Sequence, residues 1–305
     1  MKKIISVLLS AVILFGLCLP SYADTADTDG RLNFEYGDYV ISYRIFEAEG
    51  EKKGSVFMIH GFALSSVCFE PLASRLAANG YECVLADLPD FGYSSRESYS
   101  TEKLPREDIM HELMLYLSDE PWYVAGHSMG GYIALALAEK YPESVKNLLL
   151  YGTAGNDGVS DSLNALMTNR AFVSVMGRLM QAMGGCRPLV RALWYVATGD
   201  FSFAMNYDIA KITEPFAIAG TGEGALYSFS MLPATDFDAV KNMPAILYIN
   251  GSKDNVISQT DKDKLREYLP QGSVNLVCEG GAHLFIETHA DYTAENTLAF
   301  LLTNQ

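Results

Sequence analysis

The chain has 305 residues, 49% of them apolar and 19% charged, with a formal net charge of −15. A chain of this length buries a substantial core, in one large domain or one domain with a sizeable insertion. Its acidic balance repels phosphate backbones and anionic lipid, which argues against nucleic-acid binding.

In chain order, Lys2 and Lys3 precede the apolar run Ile4–Leu19, followed by Pro20 and the small-residue pattern "SYA" ending at Ala23. A positive start, a short apolar stretch and an A-x-A-like site are the layout of a secretory signal, so residues 1–23 are expected to be removed by cleavage near Ala23. The run is shorter than the ~20 residues a membrane-spanning helix needs. Retention as an uncleaved anchor, or lipid attachment at Cys18, are the alternatives; Leu17 is bulky for a lipid-attachment cleavage point. Loss of residues 1–23 removes two lysines and no acid, which deepens the net charge to −17 and leaves 24–31 as a flexible acidic leader. The product is expected outside the cytoplasm, extracellular or periplasmic, without stable membrane insertion.

Residues 32–47 read as two strands with partial alternation, joined at "YGD". "SVFMIHG" is a nearly continuous apolar run, as expected for a strand buried on both faces of a parallel sheet. "CFEPLASRLAANG" carries Leu72, Leu76 and Ala77 at helical spacing and stops at Gly80. The unit then repeats through "YECVLADLP", "REDIMHELMLYLSD", "PWYVAGHS", "MGGYIALALAEKY" and "VKNLLLYG", and later through "PAILYING", "QTDKDKLREYL", "SVNLVCEGG" and "THADYTAENTLAFLL". Alternating strands and helices imply an α/β fold, a mostly parallel sheet with helices on both faces. The alternation breaks at 155–236, which has helical apolar spacing and includes Met167, Met176, Met180, Met183, Met205, Met231 and Trp194. We read it as a helical lid inserted into a core formed by 32–154 and 237–305. The cysteines after the signal are Cys68, Cys83, Cys186 and Cys278. Their spacing matches no metal motif, and buried thiols are expected ahead of a single disulfide.

"GHSMG" at 126–130 fits G-x-S-x-G between a strand and a helix. A serine there is either a helix cap or a nucleophile on a strained corner, where Gly126 and Gly130 relieve crowding. A nucleophilic serine needs a base. Of the five histidines, His60 and His127 flank turns as motif supports with Gly61, His111 falls inside an amphipathic helix as a solvated or half-buried surface residue, and His289 lies in the last helix without special setting. His283 follows a strand and two glycines on a loop, where a base is best placed. Asp254, after "YING", supplies the acid that orients it, with Asp157 as runner-up. The backbone N–H groups of Met129 and Phe62 are the expected oxyanion donors.

With these residues assembled the chain resembles the α/β-hydrolase superfamily, in its monomeric, lid-bearing branch of serine esterase and lipase-like enzymes. The resemblance runs from about residue 34 to 303 and rests on "HGF" (60–62), "DLPDFGYSS" (87–95), "GHSMGG" (126–131), "GSKDNVI" (251–257) and "GGAHLF" (280–285). It implies Ser128, Asp254 and His283 as nucleophile, acid and base, Phe62 and Met129 as oxyanion donors, and no metal or cofactor. One departure is Asp90, where the family's D-x-P-G-x-G-x-S has glycine. The expected activity is hydrolysis of carboxylic esters of small to medium apolar size, by a monomer or weak dimer. Aminopeptidase, lactonase, carbon–carbon hydrolase and haloperoxidase chemistry keep the same serine and stay open, as does a non-catalytic ligand-binding role.

Overall fold

A computed structural model describes residues 30–96 and 104–304. The expected signal at 1–23 and nearly all of the leader at 24–31 lie outside the described residues. The alternating stretch Leu32–Tyr36 (β1) pairs antiparallel with Tyr39–Phe46 (β2), across the two-residue turn at Gly37. Six further strands follow: Gly54–Ile59 (β3), Tyr81–Ala86 (β4), Trp122–His127 (β5), Val145–Tyr151 (β6), Ile246–Gly251 (β7) and Val274–Cys278 (β8). One eight-stranded sheet results, in the order β1-β2-β4-β3-β5-β6-β7-β8. β2 joins β4 antiparallel, and β3 through β8 are parallel to their neighbours.

The apolar runs form the centre because they are covered from both sides: every residue of β5 and of β7 is buried. Helices Glu70–Ala77 (α1), Arg106–Leu117 (α2) and Met129–Lys140 (α3) follow β3, β4 and β5. Successive strand residues alternate faces. Val56 and Met58 therefore pack with Leu72 and Leu76 of α1. Phe57 and Ile59 pack on the other face with Ile109 and Leu113 of α2 and Ile133 of α3. Gln259–Glu267 (α11) joins the second face through Leu265, and Phe285–Thr288 (α12) and Ala290–Thr303 (α13) join the first through Phe285, Ala294 and Leu301.

Between β6 and β7 the chain runs through Asp161–Met167 (α4), Arg170–Gly185 (α5), Arg187–Thr198 (α6), Phe201–Asn206 (α7), Ala210–Ala217 (α8) and Thr221–Ser228 (α9), then the short Phe237–Val240 (α10). Ser160, Asn169 and Asp200 cap α4, α5 and α7 by accepting a backbone N–H three residues on. Gly199, left-handed at φ 66°, ends α6. The chain places β4 on one side of β3 and returns to place β5 on the other. The crevice beyond the carboxyl ends of β3 and β5 is therefore the switch point of the sheet, where α/β folds bind ligands.

Candidate active site

Ser128 follows directly on β5 and precedes α3, with φ 53° and ψ −117°. That backbone angle is strained for a serine. Its side chain makes no capping hydrogen bond to α3. The corner is instead held by backbone: Ser128 N–H donates to the Tyr151 carbonyl at 3.0 Å, and Thr153 Oγ1 donates to the Ser128 carbonyl at 2.7 Å. The flanking glycines are required by contact. A Cβ on Gly126 would meet the Gly130 carbonyl, and one on Gly130 would collide with the Ile59 carbonyl of β3. α3 thereby starts pressed against the end of β3.

The loop after β3 lies over the serine, since a Cβ on Gly61 would stand 3.1 Å from Ser128 Cβ. Two backbone amides border this spot. Met129 holds the first position of α3, whose N–H has no partner inside a helix. Among the described residues neither it nor Phe62 donates to a backbone carbonyl. His60 sets the loop: its Nε2 accepts from Leu88 N–H at 3.0 Å, which assigns the ring proton to Nδ1, facing the Gly61 carbonyl at 2.7 Å. Burial keeps this ring neutral by lowering its pKa, against the pull of Asp87 and the Gly61 carbonyl.

Asp254 and His283 come together from the loops after β7 and β8. His283 Nδ1 lies 3.1 Å from Asp254 Oδ2. The other oxygen of Asp254 accepts from the N–H groups of Val256 at 2.8 Å and Ile257 at 3.2 Å. Burial alone would raise this carboxyl; the His283 bond and charge, the nearby Lys262 ammonium and the Val256 N–H hold it down at about 2. Asp254 is thus ionised and accepts from Nδ1–H, leaving the Nε2 lone pair of His283 as the basic site. His283 and Ser128 are linked through His127, whose ring centroid lies 4.8 Å from that of His283 and whose Nε2 donates to the His283 carbonyl at 2.9 Å. Burial, then the neighbouring His283, depresses His127 to about 3. Ser128 itself makes no side-chain hydrogen bond to His283 among the described residues; such bonds often tighten only with substrate in place.

A family profile described as "alpha/beta hydrolase fold" matches residues 54–183. The chain has the α/β-hydrolase fold. "Lipase 3" of Moraxella sp. (strain TA144) is 28% identical over 80% of this chain and 76% of its own. "Lipase 1" of Psychrobacter immobilis is 26% identical over 84% and 80%. The structure of a thermophilic esterase from Thermogutta terrifontis superposes with a TM-score of 0.70, at 19% identity, over 90% of this chain and 98% of that one. That last likeness is one of fold.

Several residues lie elsewhere than their sequence setting implied. Asp157, the runner-up acid, pairs with Lys264 at the surface, far more exposed than Asp254. His111 is not a surface residue: it is 7% exposed, stacked on Tyr141 at 3.6 Å and bonded to Ser144 Oγ at 2.9 Å. The bulky ring of Tyr141, just past α3, covers it. His289 stands at the N-cap of α13 rather than within it, and meets Thr288 Oγ1 at 2.9 Å. Asp90 takes the glycine-like backbone of its family position, φ 72°, and its buried carboxylate pairs with Arg106 at 2.7 Å. Cys68, Cys83 and Cys278 are buried and Cys186 half-buried, all as free thiols. Among the described residues no cluster of three His, Cys, Asp or Glu could hold a metal, and no helix is long and apolar enough to cross a membrane.

Lys262 is the site residue that sequence reasoning missed. Its side chain is 4% exposed, with Nζ 3.5 Å from Asp254 Oδ2. The signal was present: in "QTDKDKLREYL" Lys262 stands three residues before Leu265, on the face that α11 buries.

Proposed function

We propose that the protein is an exported serine hydrolase that cleaves carboxylic esters of small to medium apolar substrates. The observation that carries this reading is the backbone of Ser128: a serine at φ 53°, on a strand-to-helix corner, whose hydroxyl caps nothing. A nucleophile has that setting; a helix cap does not. Ser128 Oγ attacks the ester carbonyl while His283 Nε2 takes its proton. The amides of Phe62 and Met129 receive the developing oxyanion, and Asp254 stabilises the imidazolium. His283 then passes the proton to the leaving alcohol, and the acyl-enzyme is released by a water that His283 activates. The lipases among the relatives support an ester as the bond cleaved.

The helical segment α4–α9 serves as the lid. Phe229, just past α9, stacks on Phe62 with centroids 4.5 Å apart, and the Ala197 carbonyl of α6 accepts from Leu284 N–H beside His283. Both loops of the candidate site thus touch this segment. Export follows cleavage near Ala23, and the enzyme acts without cofactor, metal or nucleic acid, as a monomer or weak dimer on a small-molecule ester.

Reaction of the purified protein with a fluorophosphonate probe tests the reading. Labelling is expected at Ser128, with Ser128→Ala lowering ester hydrolysis by about 10⁴- to 10⁶-fold without loss of fold. Labelling that survives Ser128→Ala would overturn it.

A further inference from the structure

A cavity adjoins the candidate site and has no part in the chemistry described above. Its wall starts at Ala63 and Leu64, immediately past Phe62, and includes Glu287, one helical turn beyond His283. Trp194 of α6 and Tyr207, just past α7, close it from the helical segment. Phe91, Ile212 and Phe216 make the apolar part of the lining.

One polar side chain of this wall is under-used. Glu287, 6% exposed, receives one bond, a long one of 3.4 Å from the Tyr207 hydroxyl. Leaving such groups unsatisfied is costly, and natural proteins rarely do it without purpose. Burial pushes the Glu287 carboxyl up to about 8, although Tyr207 and Lys211 pull the other way. The side chain is therefore mostly a neutral acid at pH 7.

The charges around the cavity restrict what enters it. Lys211 lines it and is held by Glu70 at 2.8 Å, which disfavours an ammonium group. Glu287 disfavours a carboxylate or phosphate, which it would meet at once when ionised. An alcohol is neutral and both accepts and donates, so it satisfies the carboxyl in either protonation state. The room is small: the centre of a water-sized group moves through about 20 Å³, which suits a hydroxymethyl group and not a ring. The leaving alcohol must lie against His283 to receive its proton, so the wall one turn past His283 belongs to the alcohol half of the ester.

We propose that Glu287 forms a specificity subsite for a hydroxyl group carried on the alcohol half of the substrate. The proposal rests on the ester-hydrolase reading and narrows it to esters of diols or polyols. Three butanoates test it. The 2-hydroxyethyl ester carries the hydroxyl, the propyl ester replaces it with methyl, and the 2-methoxyethyl ester keeps the oxygen's electronic effect without a donor. The expected kcat/KM for the 2-hydroxyethyl ester exceeds that for both others by tenfold or more, chiefly through KM. Glu287→Gln, which still accepts and donates, keeps most of that preference. Glu287→Leu brings it within threefold of unity, while propyl butanoate turnover stays within a few-fold. Equal turnover of all three esters by the wild type would overturn the proposal and leave the ester-hydrolase reading intact. A preference unchanged in Glu287→Leu, or in Glu287→Met should the leucine variant not fold, would overturn it as well. Absence of both ester turnover and fluorophosphonate labelling would remove the ester-hydrolase reading and the subsite together.

Discussion

The ends of the parallel strands and the helical segment between β6 and β7 hold their residues in different ways. Ser128, Phe62, Asp254 and His283 each leave a strand or its following turn, and are anchored by main-chain bonds such as Ser128 N–H to Tyr151 and the two amides on Asp254. In α4–α9 the outward faces remain apolar, with Val175, Val196 and Phe201 each about two-thirds exposed. This segment meets the core by a main-chain bond, Leu284 N–H to the Ala197 carbonyl, and by side chains: Lys211 on Glu70, Tyr207 on Glu287, and Arg96 on Thr221 Oγ1. Backbone ladders give a position that few substitutions move. A seam of side chains is cheaper to change, and it is where an enzyme alters what it accepts while its chemistry stays in place.

The largest effect on that contrast is expected at Asp254. Asp254→Asn should lower kcat about 10⁴-fold, because the amide no longer selects the Nδ1–H tautomer of His283. The thermal midpoint should fall too, since Lys262 would keep a buried charge without its carboxylate. Activity within tenfold of wild type would mean that the strand-end loops do not organise the chemistry. Next comes Arg106→Met. It leaves the buried Asp90 carboxylate without its guanidinium and should cost about 3 kcal/mol in urea unfolding. Gly224 of α9 packs directly on the Asp90 side chain, so the cost falls on the place where core and helical segment touch. A loss below about 1 kcal/mol would show that this pair does not brace the seam.

How much of this was legible in the sequence follows the same division. Strand runs such as "VAGH" and "YING" are read from apolar continuity, because a buried strand must be apolar on both faces. G-x-S-x-G marks its own corner, since only glycine fits where α3 presses on β3. His283 was separable from four other histidines by the two glycines and the strand before it. The subsite was not legible. Trp194, Tyr207 and Glu287 are far apart in sequence and meet only because α6, α7 and the turn after His283 pack together. No local pattern sets Glu287 apart from the chain's other acids. Asp90 shows the boundary between the two cases. Its departure from glycine was visible, but its compensation by Arg106 depends on how α2 docks.

A smaller effect is expected from titration across the seam. Glu287 has a raised folded-state pKa of about 8, against roughly 4.3 in an unfolded chain. The folded state keeps its proton longer, so the stabilisation is full below pH ~4.3 and is lost as pH rises towards 8. Glutamine does not titrate. The thermal midpoint of Glu287→Gln should therefore gain on wild type between pH 5 and 8, by about 5 °C at the upper end. Parallel curves for the two proteins would mean that the carboxyl is hydrated and that the cavity is more open than its walls imply. On the acid side the buried His127, depressed to about 3, works in the opposite sense. Its unfolded form binds a proton near pH 6.5, so both proteins should lose stability together as pH falls from there towards 3.

The smallest expected effect discriminates between the two candidate acids. Asp157 and Asp254 both lie in loops after parallel strands, β6 and β7, at the same edge of the sheet. Their surroundings separate them. Asp254 is enclosed, with two backbone N–H donors, His283 and Lys262 around its carboxylate, whereas Asp157 is exposed and paired only with a half-exposed Lys264. An exposed pair of this kind contributes about 0–1 kcal/mol. Asp157→Asn should leave kcat/KM within twofold of wild type, with a shift in urea midpoint at the limit of measurement. A tenfold loss of kcat would place a second carboxylate in the reaction and require the loop after β6 to move against His283. The present geometry gives no route for that, since a Cβ on Gly152 would already stand 3.2 Å from the His283 carbonyl, and Asp157 is exposed and held by Lys264.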